Sequence, residues 1–263
     1  MVLISFYRKD KHMIHSFLLI GQSNAAGRGF IDEAEPLDTC TEKIKVLRNG
    51  RWQTAFRPIN PDRPFSGTCL AESFAKAYLN TRTDVEVGII PCADGGTTLE
   101  QWAPGGLLFE NAVMCSRLAM RTSRLVGILW HQGEGDCAPE KHVLYEERFQ
   151  SILDALRQEL NLPDVPVIVG GLGDFLSSCS LDDNLKNYNF VNQALQNIAK
   201  NNKNTAFASA EGLGANPDNL HFSAAALNEL GVRYFEKFKP FIPDNFTDAR
   251  LDFDNVRSAM EAL

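Results

Sequence analysis

The sequence predicts an α/β fold built on a doubly wound parallel sheet of about five strands. Short apolar runs recur between turn residues, and longer segments with helical periodicity separate them. The apolar runs show no polar–apolar alternation, which is typical of strands covered on both faces. Strands that alternate with helices in this way favour parallel pairing through crossover helices.

The elements follow one another in a regular order. The predicted strands are 17–20, 85–90, 125–130, 165–169 and 205–208. The predicted helices are 68–79, 107–122, 142–160, 185–200 and 223–238. Two further apolar segments, 44–47 and 52–55, flank Asn49-Gly50 and predict a small hairpin insertion.

The chain is expected to form one domain over residues 13–240, because no repeat and no Ser/Gly-rich linker divides it. Residues 1–12 are predicted to be an N-terminal appendage. Their basic residues follow the apolar ones, which reverses the order found in a signal peptide. Residues 241–263 are predicted to be a tail packed on the domain.

Composition limits the class of partner. The net charge of −7 argues against nucleic acid and anionic membranes, both of which would repel the chain. No apolar run approaches the ~20 residues of a membrane-spanning helix. Six cysteines without CxxC spacing indicate reduced thiols and a cytoplasmic protein. No cofactor is expected, and nothing in the sequence indicates an oligomeric state.

Four unusual loops each follow a predicted strand. They are GQSN (21–24), CADGGTTLEQW (92–102), HQGEGDC (131–137) and NPDNLH (216–221). Because open α/β sheets bind ligands at the carboxyl ends of their strands, we expect these loops to meet on one rim.

Ser23 is the candidate nucleophile in these loops. A serine needs a base, and the base needs an orienting partner. The spacing of Asp218 and His221 allows the carboxylate to reach one imidazole nitrogen and leaves the other for Ser23. The alternative is that both residues only cap the helix that begins near Ser223.

An acyl-transfer site also needs donors to a developing oxyanion. The candidates are the N–H groups of Ser23, Gly95 and Gly96 and the side-chain amide of Gln132. The alternative for residues 94–96 is an ordinary turn.

Further side chains on the rim have more than one interpretation. Asn24 is expected to bind a neighbouring loop, and Arg28 to form an ion pair with Glu134 or Asp136 rather than touch substrate. Trp102 could stack on a sugar ring or simply be packed. His131, Glu134, Asp136 and Cys137 match no metal-ligand spacing, so we predict no metal site.

The order GQSN, GGT, HQGE and DxxH resembles the SGNH hydrolases, and within them the carbohydrate O-acetylesterases. That branch holds the acetylxylan esterases of carbohydrate esterase family 6 and the sialate O-acetylesterases. The resemblance runs from about residue 15 to 237. Gln22 and Gln132 replace an aspartate and an asparagine of the wider superfamily, as in this branch. Ala25 departs from the methionine usual there.

This resemblance implies a flavodoxin-like, three-layer α/β/α fold with Ser23, His221 and Asp218 as catalytic triad. It also implies an oxyanion hole of Ser23 N–H, a glycine of the 95/96 pair and Gln132. The expected activity is removal of O-acetyl groups from carbohydrate, on acetylated xylo-oligosaccharide or sialic acid. The alternatives are an SGNH lipase or thioesterase and a non-catalytic carbohydrate-binding relative.

Overall fold

A seven-stranded sheet forms the centre of the molecule. The computed structural model describes residues 13–35 and 41–243. The strands are β1 (Ile14–Gly21), β2 (Ile44–Arg48), β3 (Arg51–Thr54), β4 (Glu86–Pro91), β5 (Arg124–His131), β6 (Val167–Gly170) and β7 (Thr205–Ala208). Their order is β3-β2-β4-β1-β5-β6-β7, and every neighbouring pair is parallel except β2 with β3. The predicted α/β class is confirmed.

The predicted hairpin is part of this sheet. Asn49 and Gly50 have φ of 49° and 72°, so both take the positive values of a tight hairpin turn. Besides its antiparallel pairing with β3, β2 pairs in parallel with β4. The prediction of about five strands is therefore too low by the two hairpin strands.

Helices cover both faces of the sheet. They are α1 (Ser23–Ala26), α2 (Leu70–Thr81), α3 (Leu107–Ala119), α4 (Pro139–His142), α5 (Tyr145–Leu160), α6 (Tyr188–Asn201) and α7 (Ala224–Phe238). Strand β1 is buried along its whole length. Phe17 and Leu19 belong to the core formed with α2 and α7, whereas Leu18 and Ile20 belong to the core with α3, α5 and α6. The missing polar–apolar alternation is thus explained by burial of both faces.

The strand order places a crevice beside β1. The five strands that alternate with helices run in the order β4-β1-β5-β6-β7, the flavodoxin-like order. The chain leaves β1 toward one side of the sheet and later builds β5 on its other side. Such a reversal separates the loops that follow the two strands, and ligands bind between them. Ser23 follows β1, and residues 132–137 follow β5.

The ends of the chain are described only in part. The predictions for residues 1–12 and for 244–263 lie outside the described residues. Residues 241–243 lie near α7 and α2, where the Phe241 and Phe238 rings are 6.2 Å apart and Arg82 donates to the Pro243 carbonyl at 2.9 Å. Within the described ranges, the helices are too short or too polar to cross a bilayer.

Candidate active site

A sharp turn at the end of β1 presents Ser23. Gly21 has φ of 131°, and a Cβ on it would collide with the His131 carbonyl, so only glycine fits. The next residue, Gln22, donates its backbone N–H to that carbonyl at 2.9 Å. Ser23 then begins the short helix α1, where its N–H has no carbonyl four residues earlier within the helix. This N–H is therefore available to a ligand.

Ser23, His221 and Asp218 form a continuous series of hydrogen bonds. The Nε2 of His221 lies 3.1 Å from the Ser23 Oγ, although the residues are 198 positions apart. The Nδ1 of the same ring lies 2.7 Å from the Asp218 Oδ2. The expected spatial arrangement of a nucleophile, a base and an orienting carboxylate is present.

Asp218 is held in its charged form. Its Oδ1 accepts the backbone N–H groups of Leu220 at 2.9 Å and His221 at 3.0 Å. Burial acts to raise the pKa of this carboxyl, but these N–H groups and the His221 ring outweigh it and lower the pKa. The helix-capping alternative is wrong, because Ser223 caps α7 by accepting from the Ala226 N–H at 3.2 Å.

The Asn24 side chain fixes the peptide on both sides of His221. Its amide nitrogen donates to the Leu220 carbonyl at 3.2 Å, and its amide oxygen accepts from the Phe222 N–H at 3.1 Å. The same nitrogen donates to the Glu134 carboxylate at 2.5 Å. Asn24 therefore joins the serine segment to two other loops, as expected.

Arg28 pairs with a different acid from the one expected. The prediction of Glu134 or Asp136 is wrong: the guanidinium contacts both carboxylate oxygens of Asp62, at 2.7 and 3.0 Å. Both side chains are 5% exposed. Glu134 is instead occupied by Asn24, and the Asp136 carboxylate accepts the N–H of Leu99 at 2.9 Å.

Asp62 is a residue that the sequence did not single out. It also accepts the Gly95 N–H at 2.9 Å and the Ser66 hydroxyl at 2.7 Å. Burial acts to raise its pKa, but the hydrogen bonds from Arg28 and Ser66, the Arg28 charge and the Gly95 N–H together lower it. No motif marks this position, since it lies in a proline-rich loop outside the regular elements.

Only part of the predicted oxyanion hole is available. The Gly95 N–H is donated to Asp62, although a Cβ built on Gly95 would lie 3.4 Å from the Ser23 Cβ. Gly96 follows it, is exposed and has φ of 78° with open space around it. This leaves the N–H groups of Ser23 and Gly96 as the predicted donors that none of these hydrogen bonds occupies.

Gln132 does not offer its amide to a ligand in this arrangement, contrary to expectation. Its nitrogen donates to the Thr97 carbonyl at 3.1 Å and to the Asp136 Oδ2 at 2.5 Å, which uses both hydrogens. Its oxygen accepts from the Tyr145 hydroxyl at 3.0 Å. The residue has no exposed surface. Gln132 thus links the loops that carry Thr97 and Asp136.

Gln22 holds the HQGE loop (residues 131–137) against the serine turn. Its side-chain oxygen accepts the N–H groups of Gly133 at 3.3 Å and Gly135 at 3.2 Å. The residue is buried. It therefore supports the position of Ser23 without facing the cleft.

Trp102 is not a sugar platform. The indole is 1% exposed, donates to the Thr97 hydroxyl at 3.1 Å and meets the Trp130 ring edge-on at 5.8 Å. The substrate interpretation is wrong, and the packing interpretation is correct. The structure turns this ring into the core because its N–H finds a buried partner there.

The acidic and imidazole groups of the HQGE loop are buried next to the segment that carries Ser23. His131 Nε2 lies 3.9 Å from Glu134, and burial lowers the pKa of His131. Burial raises the pKa of Asp136. Across residues 13–35 and 41–243, no three His, Cys, Asp or Glu side chains are placed to hold a metal ion.

Known proteins resemble this chain along most of its length. Residues 13–240 match the family described as carbohydrate esterase, sialic acid-specific acetylesterase. A probable carbohydrate esterase of Arabidopsis thaliana is 30% identical over 243 residues, which cover 82% of this chain and 86% of that protein.

Solved structures share the fold. The Arabidopsis protein has a TM-score of 0.76 at 26% identity, covering 87% of this chain and 98% of that one. The structure of NanS has a TM-score of 0.70 at 18% identity, covering 88% of this chain and 98% of NanS. A carbohydrate acetylesterase from Xanthomonas citri has a TM-score of 0.61 at 17% identity, covering 86% of this chain and 56% of that one. The chain therefore belongs to the carbohydrate esterase, sialic acid-specific acetylesterase family, and it is a carboxylic ester hydrolase.

Proposed function

We propose that this protein removes O-acetyl groups from carbohydrate through an acetyl-enzyme formed on Ser23. The observation that supports this most directly is the series Ser23 Oγ–His221 Nε2–Asp218, with separations of 3.1 and 2.7 Å. A nucleophile within hydrogen-bond reach of a base, itself oriented by a third group, is the arrangement that acyl transfer needs.

In the first half-reaction, Ser23 Oγ attacks the acetyl carbonyl carbon while His221 Nε2 takes the hydroxyl proton. The carbonyl oxygen becomes an oxyanion, and the N–H groups of Ser23 and Gly96 stabilise it. The bond from carbon to the sugar oxygen then breaks as the imidazolium returns the proton to that oxygen. The deacetylated sugar leaves, and acetyl remains on Ser23.

In the second half-reaction, water attacks the acetyl-enzyme while His221 takes its proton. Collapse of the tetrahedral intermediate expels Ser23 Oγ, which recovers the proton, and acetate is released. Asp218 stays ionised throughout, because its hydrogen bonds lower its pKa. It fixes the imidazole tautomer and stabilises the imidazolium that forms in each half.

The proposed substrates are acetylated xylo-oligosaccharides or O-acetylated sialic acid. The family description names sialic acid-specific acetylesterases, and the Xanthomonas citri neighbour is a carbohydrate acetylesterase. We propose a cytoplasmic location, which the five free cysteines among the described residues support. A cytoplasmic enzyme would meet small saccharides, so we propose these rather than polymeric xylan as substrates. Cell fractionation with an antibody to this chain tests the location.

A substrate panel tests the proposal. Wild-type protein and Ser23→Ala are compared on acetate, butyrate and octanoate esters of one alcohol, on acetylated xylo-oligosaccharide, on O-acetyl sialic acid and on polymeric acetylxylan. We expect wild-type protein alone to hydrolyse the acetate ester and the acetylated xylo-oligosaccharide or O-acetyl sialic acid. Hydrolysis of polymeric acetylxylan with hydrolysis of neither small saccharide would contradict the proposal of small substrates. Preference for octanoate would favour the lipase alternative. Sugar binding without hydrolysis of any ester would favour the non-catalytic one.

A further inference from the structure

Phe65 is the most exposed aromatic side chain among the described residues, with 69% of its surface accessible. One face of its ring lies over Arg28, whose Cζ is 5.3 Å from the ring centroid. A flat aromatic side chain that is exposed in this way is able to stack on a flat ligand surface. The arginine supports one side of the ring and leaves the rest of it accessible.

Arg28, which packs against the Phe65 ring, lies close to the candidate nucleophile Ser23. Arg28 is 6% exposed and is held by Asp62, which also accepts the Gly95 N–H. A Cβ built on Gly95 would lie 2.6 Å from the Arg28 Nη2 and 3.4 Å from the Ser23 Cβ. Gly95 therefore lies between Ser23 and the Arg28 guanidinium, against which the Phe65 ring packs.

The loop that carries Phe65 is fixed before any ligand binds. The Ser66 hydroxyl donates to Asp62 at 2.7 Å and accepts the Arg63 N–H at 3.0 Å. The Arg63 side chain donates to the Gly95 carbonyl at 3.0 Å and pairs with Asp94 at 2.8 Å. Pro64 restricts the backbone between these anchors. A preorganised ring loses little conformational entropy on binding.

The charges around the ring cancel. Arg28 pairs with Asp62, and Arg63 pairs with Asp94, so two cations face two anions. These two ion pairs together carry no net charge, and the exposed ring beside them suits the flat C–H face of a pyranose ring. The aromatic ring presents a negative π face, and the C–H groups on one side of a pyranose ring carry partial positive charge.

We propose that Phe65 is the platform on which the sugar ring of the acetylated substrate stacks while its acetyl group reaches Ser23. This rests on the proposed function and names the part of the site that binds the saccharide. Phe65 is a specificity-determining residue in this account and takes no part in proton transfer. In this proposal Phe65 has the role in sugar stacking that the sequence suggests for Trp102.

The test compares Phe65→Ala, Phe65→Trp and Phe56→Ala. Phe56 is the matched control because it is also an exposed ring, at 47%, stacked on an arginine, Arg48, at 3.9 Å. Arg48 donates to backbone carbonyls at positions 56, 58 and 59. Values of kcat and KM are measured for a mono-O-acetylated methyl xylopyranoside and for ethyl acetate.

We expect Phe65→Ala to raise KM for the sugar ester about fivefold to tenfold and to leave ethyl acetate hydrolysis unchanged. Phe65→Trp should retain the wild-type KM, and Phe56→Ala should change kcat and KM for neither ester. An equal effect of Phe65→Ala on both esters, or no effect on the sugar ester, would overturn the platform and leave the esterase proposal standing.

Calorimetric binding of the same xylopyranoside to Ser23→Ala, with and without Phe65→Ala, separates the two proposals. We expect Kd to rise by the same fivefold to tenfold. Such a rise together with no hydrolysis by wild-type protein would support the platform and contradict the proposed function. The same two measurements on O-acetyl sialic acid cover the other proposed substrate, and neither binding nor hydrolysis of either compound would overturn both proposals.

Discussion

The Glu134 carboxylate accepts a 2.5 Å hydrogen bond from the Asn24 amide. That bond sets which end of the amide faces the histidine loop, so nitrogen meets the Leu220 carbonyl and oxygen meets the Phe222 N–H. His221 lies between these two peptide groups. The position of His221, the proposed base, thus depends on Asn24, which follows Ser23, and on Glu134 of the HQGE loop.

We predict that Asn24→Ala lowers kcat about 10²-fold with little change in KM, because the base is no longer held at its working distance. Kinetics on an acetate ester measure this. Asn192→Ala is the control, because Asn192 makes the same two-bond clamp on Leu172, at 2.7 and 3.0 Å. A kcat loss in Asn24→Ala no larger than in Asn192→Ala would contradict the positioning role.

We predict that Asp218→Asn lowers kcat about 10³- to 10⁴-fold while the protein stays folded, because the imidazole loses its tautomer lock. Since the pKa of Asp218 is lowered, its carboxylate stays charged at pH values down to and below the ordinary aspartate pKa of ~3.9. The acid limb of wild-type kcat/KM should therefore show a single titrating group above pH ~4. A second protonation step in that range would show that Asp218 itself titrates there.

We predict that Asp62→Asn destabilises the protein by about 3 kcal/mol at neutral pH, because it leaves the Arg28 cation buried without a counter-ion. The folded-state pKa of Asp62 is lowered, so its stabilisation is complete above the ordinary aspartate value of ~3.9. That stabilisation is lost as pH falls through the folded-state pKa.

Denaturant unfolding from pH 2 to 7 measures this difference. The gap between wild type and Asp62→Asn should be constant above pH ~5 and should close below pH ~4. Asp183→Asn is the control, since Asp183 pairs with Lys186 on the exposed surface, where water screens the pair, and its replacement should change stability far less than Asp62→Asn. A stability difference between wild type and Asp62→Asn that widens toward acid pH would contradict the lowered pKa of Asp62.

We predict that Gln132→Met reduces stability more than catalysis. Its amide satisfies Asp136 and Thr97, and their buried acceptors would lose a partner, at about 1–3 kcal/mol. The kcat of the folded variant should fall less than tenfold. A loss of 10²–10³ in kcat with unchanged stability is the signature of an oxyanion donor and would return Gln132 to that role.

The main strands could be predicted because burial on both faces leaves a continuous apolar run, as in β1. The edge strand β3 is half exposed, and nothing local in its sequence shows that the hairpin joins the main sheet. The triad residues could be predicted to converge because their loops follow parallel strands, whose carboxyl ends share a rim.

Partner choice in the site could not be predicted in the same way. Arg28 and Asp62 lie 34 positions apart, and only the folded path of the loop at 56–67 brings them together. Whether an aromatic ring points into the core or toward solvent is likewise decided by packing. Trp102 turns inward onto Trp130, while Phe65 stays at the surface on Arg28.

The most direct test of the central claim is labelling with a fluorophosphonate, followed by peptide mapping, on wild-type protein and Ser23→Ala. We predict one equivalent of label on Ser23 and a parallel loss of acetate-ester hydrolysis. For Ser23→Ala we predict a fall of at least about 10⁴-fold in kcat with the melting temperature retained. Label on another residue, or full hydrolysis by folded Ser23→Ala, would contradict it.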